Sequence, residues 1–183
     1  MKIKILEDEV RQTFMSVTWS HKIQEKQAEI YYKKYKKWET VRIVCSALTT
    51  VGLFTLIFSD QTIVKIISTI LSLIITIIST MFKSFNLQQL SDKHKSTANE
   101  LLVMRDKFRT LLVEINLDIE DNSRLLSNYK ALQIELHNIY NEAPSTTEEA
   151  VDKARIALEI KEDNKFSNEE IDRNLPENLR YGG

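Results

Sequence analysis

Four small hydroxyl residues, Thr69, Ser72, Thr76 and Ser79, follow one another at spacings of three, four and three, which places them on one face of a helix. A matching row, Arg42, Cys45, Thr49 and Gly52, stands upstream. In an apolar setting such rows have two uses: small residues let membrane helices approach closely, and hydroxyls can bond across an interface or line a polar path. A pore-lining stripe in an oligomer and plain packing within a hairpin, with hydroxyls bonded back to their own helix, both remain open. No other residues gather into a chemical site. His21, His94 and His137 lie on separate stretches, and two of them sit on or near packing seams, where a hydrogen-bonded role explains them better than metal ligation. Cys45 is the single cysteine, so an intramolecular disulfide and a cysteine metal cluster are excluded. With glycines only at 52, 182 and 183, no glycine-rich phosphate loop can form. Glu148-Glu149 and Glu169-Glu170 read as helix-start carboxylates, and Glu120 and Asp121 are adjacent residues that do not face each other on a helix. The expectation is a protein that is not an enzyme and uses no cofactor and no metal.

The hydroxyl rows lie in two uncharged apolar runs, Ile43 to Phe58 and Ile66 to Phe82, joined through Ser59, Asp60, Gln61 and Thr62. At about 1.5 Å per residue each run covers roughly 25 Å. The flanking residues 41–42 and 63–65 bring it close to the ~30 Å hydrocarbon core, because long cationic side chains snorkel to the interface. A soluble core able to cover two helices that are apolar all round is not available in 183 residues of which 28% are charged. Residues 41–82 therefore read as a transmembrane helical hairpin in contact with the lipid bilayer. Just before it, Tyr31, Tyr32, Lys33, Lys34, Tyr35, Lys36, Lys37 and Trp38 form a basic aromatic run, and Lys83 stands just after it. Such a run suits anionic headgroups and the interfacial belt better than nucleic acid, so no direct nucleic-acid contact is expected. The excess of lysine on both flanks over the loop predicts both termini in the cytoplasm.

The remaining chain reads as helix throughout. Only Gly52 interrupts residues 1–143, and no proline precedes Pro144, so a few very long helices are expected. Residues 1–40, with nine Lys/Arg against six Asp/Glu, form a cytoplasmic amphipathic helix. Its seam runs Leu6, Val10, Phe14, Val17, His21, Ala28, Tyr31, Tyr35 and Trp38, interrupted by Gln24. Residues 83–141 continue the second membrane helix without a break, with Leu87, Leu90, His94, Leu101, Met104, Phe108, Leu111 and Ile115 at heptad-like spacing as an oligomer seam. The seam drifts beyond Leu112, through Ile119 and Leu126. The first helix is the simplest antiparallel partner of the proximal part. The distal part must fold back, pair with another subunit or bind something else. Residues 142–183, six Lys/Arg against eleven Asp/Glu, hold short helices and an acidic tail. Thr146-x-x-Glu149 and Ser167-x-x-Glu170 are capping boxes. The first opens a helix over 148–160 able to pack on the distal seam. The fold class is all-α.

This layout resembles the SLATT family, bacterial two-transmembrane effectors of anti-phage loci. The resemblance is carried by Tyr31–Trp38, the hairpin 41–82, and Leu90, His94, Ala98, Leu101, Leu102 and Arg105 after the membrane. It implies a multi-pass protein of the bacterial inner membrane. On activation such a protein forms a homo-oligomer and permeabilises that membrane, killing or arresting the infected cell in an abortive infection. It also implies a separate sensor partner belonging to a nucleotide-signal or reverse-transcriptase system, since the chain shows no nucleotide-binding domain of its own. The alternative is a non-toxic membrane anchor or scaffold whose cytoplasmic coiled coil recruits a partner.

Overall fold

The computed structural model describes residues 2–58, 61–117, 121–163 and 166–181. Every regular element in it is helical. The first helix, α1, runs unbroken over Lys2–Phe58. At about 1.5 Å per residue it is some 85 Å long, and it passes straight through the boundary at residues 40–41 because no glycine or proline stands there. The join to the second membrane helix, including Ser59 and Asp60, lies outside the described residues. Helix α2 spans Thr62–Phe85, α3 Leu87–Leu117 and α4 Asn122–Glu142. Both α2 and α3 run back along α1, and α4 folds back along α3.

The expected unbroken helix across residue 86 is corrected by the structure. Asn86 takes a left-handed conformation (φ 37°, ψ 56°), one that asparagine tolerates better than most residues. Its side chain holds the bend: Oδ1 accepts from the Gln89 amide at 3.2 Å, and Nδ2 donates to Gln89 Oε1 at 2.6 Å. The single helix expected over 83–141 is likewise two helices. Ile119 and Glu120 fall outside the described residues, and Asp121 then caps α4 by accepting from the Ser123 amide at 3.2 Å. The Ser123 hydroxyl and amide hold that carboxyl below its ordinary value.

The seam expected to drive oligomers is filled within the chain. Leu101, Met104, Phe108, Leu111 and Ile115 are all buried, packed with Val10 and Val17 of α1 and with Leu125 and Leu136 of α4; His94 is buried too, and Leu87 and Leu90 are half-buried. Phe108 meets Tyr129 edge to face at 6.3 Å. Tyr129 lies 3.1 Å from the Thr13 hydroxyl, so α4 closes a three-helix bundle over α1 and α3.

Gln24, which breaks the apolar seam, is part of a buried polar layer. His94 Nδ1 donates to Gln24 Oε1 at 2.5 Å, and Gln24 Nε2 donates to the Pro144 carbonyl at 3.1 Å. His21 Nδ1 donates to the Ala98 carbonyl at 2.9 Å, and Ser91 donates to the Ala28 carbonyl at 3.0 Å. His137 is exposed on α4.

Residues 148–160 are helical as expected, as α5 (Glu148–Arg155) followed by a wider π turn over Ile156–Ile160. Two details differ. The segment packs on α1 and not on the distal seam, burying Ala150, Ala154 and Ala157. Its cap is Thr147, not Thr146, and the Thr147 hydroxyl and amide both donate to Gln27 Oε1 at 2.8 Å. A buried amide side chain on α1 thus takes the groups that a capping box would have used. The second box forms as read, with Ser167 and Glu170 exchanging hydrogen bonds at the start of α6 (Asn168–Asn174).

Burial holds both His21 and His94 below the ordinary histidine value, and for His21 the Ala98 carbonyl and Glu25 pull the other way. The unfolded chain therefore takes up protons first, at about pH 6.5. Stability should be highest above that point and fall as pH drops through the lowered native values. Thermal unfolding of the detergent-solubilised chain between about pH 7.5 and 5 should show this loss. His21→Asn/His94→Asn should flatten it, even at a lower overall melting temperature. An unchanged slope would remove the histidines as its cause.

Candidate functional site in the membrane hairpin

The hairpin is held by one row from each leg. On α1 the row is Cys45, Thr49, Gly52 and Leu56, of which Cys45 is buried and the others half-buried. On α2 the most buried residues are Ser68 and Ile78, with Val64, Leu71, Ile75 and Phe82 half-buried at the intervening turns. Gly52 lets the legs come close, since a Cβ there would collide with the Ser68 hydroxyl oxygen. Almost all other apolar side chains of the two legs face outward, Ile57, Ile63 and Leu73 among them. That is the surface a lipid environment requires and a soluble core does not.

The rows singled out in the sequence therefore separate. Cys45, Thr49 and Gly52 turn into the hairpin. Thr69, Ser72 and Thr76 are exposed, and Ser79 is half-buried toward the bundle end of α2. The α2 stripe is not the surface that joins the two legs. It forms one wall of an open groove of about 530 Å³, completed by Ser68 and Lys65 and, from α1, by Thr49, Leu53 and Leu56. Ser68 and Ile78 were missed in the sequence because a stripe of hydroxyls attracts the eye to Thr69. The row 68–71–75–78–82 stands one residue around the helix, with the same three-and-four spacing.

The threonine hydroxyls in this groove are satisfied by their own helix. Thr69 donates to the Lys65 carbonyl at 2.8 Å, Thr76 to Ser72 at 2.9 Å and Thr49 to Cys45 at 2.8 Å. Such back-bonding lets a hydroxyl sit in lipid without an orphan donor, while its oxygen keeps capacity to accept from a passing water or a second helix.

At the edge of the hairpin nearest the bundle the aromatic run divides by face. Tyr31 stacks on His94 with centroids 5.4 Å apart, and Tyr35 meets Phe82 at 5.5 Å. The Arg42 guanidinium lies over the other side of that contact, 5.8 Å from the Phe82 centroid, and is paired with Glu39. Tyr32, Lys33, Lys34, Lys36, Lys37, Trp38 and Lys83 are exposed, a basic and aromatic collar where the bundle meets the membrane.

The Gly52–Ser68 contact gives a direct test. Gly52→Ala should lower the stability of the hairpin by about 1–2 kcal/mol, the scale of membrane helix contacts, read by denaturant titration in detergent. Ser68→Ala added to it should recover most of the loss, because it removes the colliding oxygen. Additive losses in the double variant would contradict the contact.

The comparisons agree with this geometry. No curated protein and no solved structure matches the chain. The model of the SMODS and SLOG-associating 2TM effector domain family 4 matches residues 6–170, from the start of the α1 seam to the first turn of α6. With two exposed apolar legs on one all-α frame and a match over most of its length, the chain belongs to the SMODS and SLOG-associating 2TM effector domain family 4, and it is a membrane effector domain of defence systems.

Proposed function

We propose that this protein oligomerises in the bacterial inner membrane and, on activation, permeabilises it, acting without catalysis to end a phage infection together with the host cell. The observation that carries this reading is the outward-facing groove along Thr69, Ser72 and Thr76. The hairpin is closed by a different row, so folding of the single chain does not account for a hydroxyl stripe on the lipid side. Two helices cannot enclose an aqueous path, and a ring of copies that faces the stripes inward can. The basic collar supports a topology with both termini in the cytoplasm, where a separate sensor protein of a nucleotide-signal or reverse-transcriptase system would reach the bundle.

The back-bonded threonines favour a second reading, a membrane anchor or scaffold that recruits a partner through its cytoplasmic bundle, since hydroxyls satisfied by their own helix are compatible with lipid on every side.

Membrane potential and propidium uptake in bacteria expressing the chain separate the two. The native chain should depolarise the cells, and Thr69→Leu/Ser72→Leu/Thr76→Leu/Ser79→Leu should abolish the effect at equal membrane levels. Equal depolarisation by both would discard the stripe. Silence of the native chain, alone and with its genomic neighbours, would leave the anchor.

A further inference from the structure

Residues 143–163 lie along α1 as a strap whose hold is mainly polar. Its buried face consists of three alanines, 150, 154 and 157, which carry little apolar area. At one end Gln24 and Gln27 grip Pro144 and Thr147. At the other Lys22, nearly fully buried, reaches Asp163 at 3.5 Å while pairing with Glu25 at 2.9 Å. The docked strap leaves the buried Gln27 Nε2 without an acceptor among the described residues, which weakens its hold.

Charge matches across the contact. The strap carries six acidic residues against three basic ones over 148–163, and α1 carries four lysines against two glutamates over 22–34. The strap hangs from α4 by residues 143–147, which are not helical and at about 3.5 Å per residue can extend some 17 Å. The apolar seam from Leu101 to Ile115 is already filled inside one chain.

We propose that the strap is exchanged between copies: α5 of one chain docks on the Lys22–Gln27 strip of its neighbour, and this strip is the assembly surface of the oligomer. Exchange keeps the contacts of residues 147–163 and gives up the Gln24–Pro144 bond to the extended hinge, so it requires no new complementary surface. Crowding of copies in the membrane plane raises the effective concentration that favours it. A strap passed from each copy to the next is a head-to-tail contact, which closes into a ring when the rotation permits. The inference rests on the oligomeric reading above and supplies its contact.

Cross-linking decides it. In a Cys45→Ser background, which is free of native thiols, Lys22→Cys and Asp163→Cys are placed on chains with different tags, co-expressed, and treated in membranes with a short bismaleimide. A second pair, Lys34→Cys with Glu149→Cys, uses exposed positions that tolerate substitution. Exchange predicts cross-linked species bearing both tags. It also predicts a ladder of multimers when both cysteines are on one chain. Products confined to monomer mass, with no species joining the two tags in either pair, overturn it. Ladders without depolarisation would uphold the exchange and remove the permeabilising reading. Depolarisation with links only inside single chains would do the reverse.

Discussion

The continuity of α1 is the constraint on which the rest of the structure depends. One 57-residue helix supplies a membrane leg, one wall of the helical bundle and the seat of the strap. Because it has no break, any rotation or tilt of its membrane half is carried to Val17, His21 and Gln24. The other strand of the connection is jointed: Asn86 interrupts the path from α2 to α3. The unbroken α1 therefore fixes the angle between hairpin and bundle, while Asn86 lets the second path turn from α2 into α3 beside it.

Two aromatic contacts sit beside that joint. Tyr35 against Phe82 and Tyr31 against His94 tie α1 to the chain on either side of Asn86. His94 continues through Gln24 to Pro144, the first contact of the strap. A connected set of contacts thus runs from the edge of the membrane to the C-terminal segment. Its links are aromatic contacts and buried hydrogen bonds, so each must be remade when the path rearranges.

Much of this was legible in the residues. The hairpin follows from two uncharged runs with a short polar join, and the α1–α3 pairing follows from two seams that a hairpin forces antiparallel. The joints were hidden because apolar spacing carries on across them: Leu87 and Leu90 continue the pattern of α2 past Asn86, and Leu126 and Tyr129 continue that of α3 past Asp121. Both joints have local chemistry that periodicity does not weigh, an asparagine that tolerates a left-handed turn and an Asp-Asn-Ser helix start. The strap's seat was hidden for a related reason. Gln24 reads as an interruption of an apolar stripe, and its role, like that of Gln27 beside it, emerges only when Pro144 and Thr147 are brought against them. In the membrane, the pattern of small residues was visible, but which row closes the hairpin depends on a rotation of α2 by one residue. The Gly52–Ser68 contact sets that rotation.

The activity proposed for this chain is conduction across a bilayer by assembled copies along their hydroxyl faces. The most direct measurement is the current through planar bilayers that receive the purified chain. The account predicts discrete conductance steps that appear with protein density and that vanish when the groove at Thr69, Ser72 and Thr76 is filled with leucine. A bilayer that stays insulating while cross-linking shows multimers within it would contradict the claim.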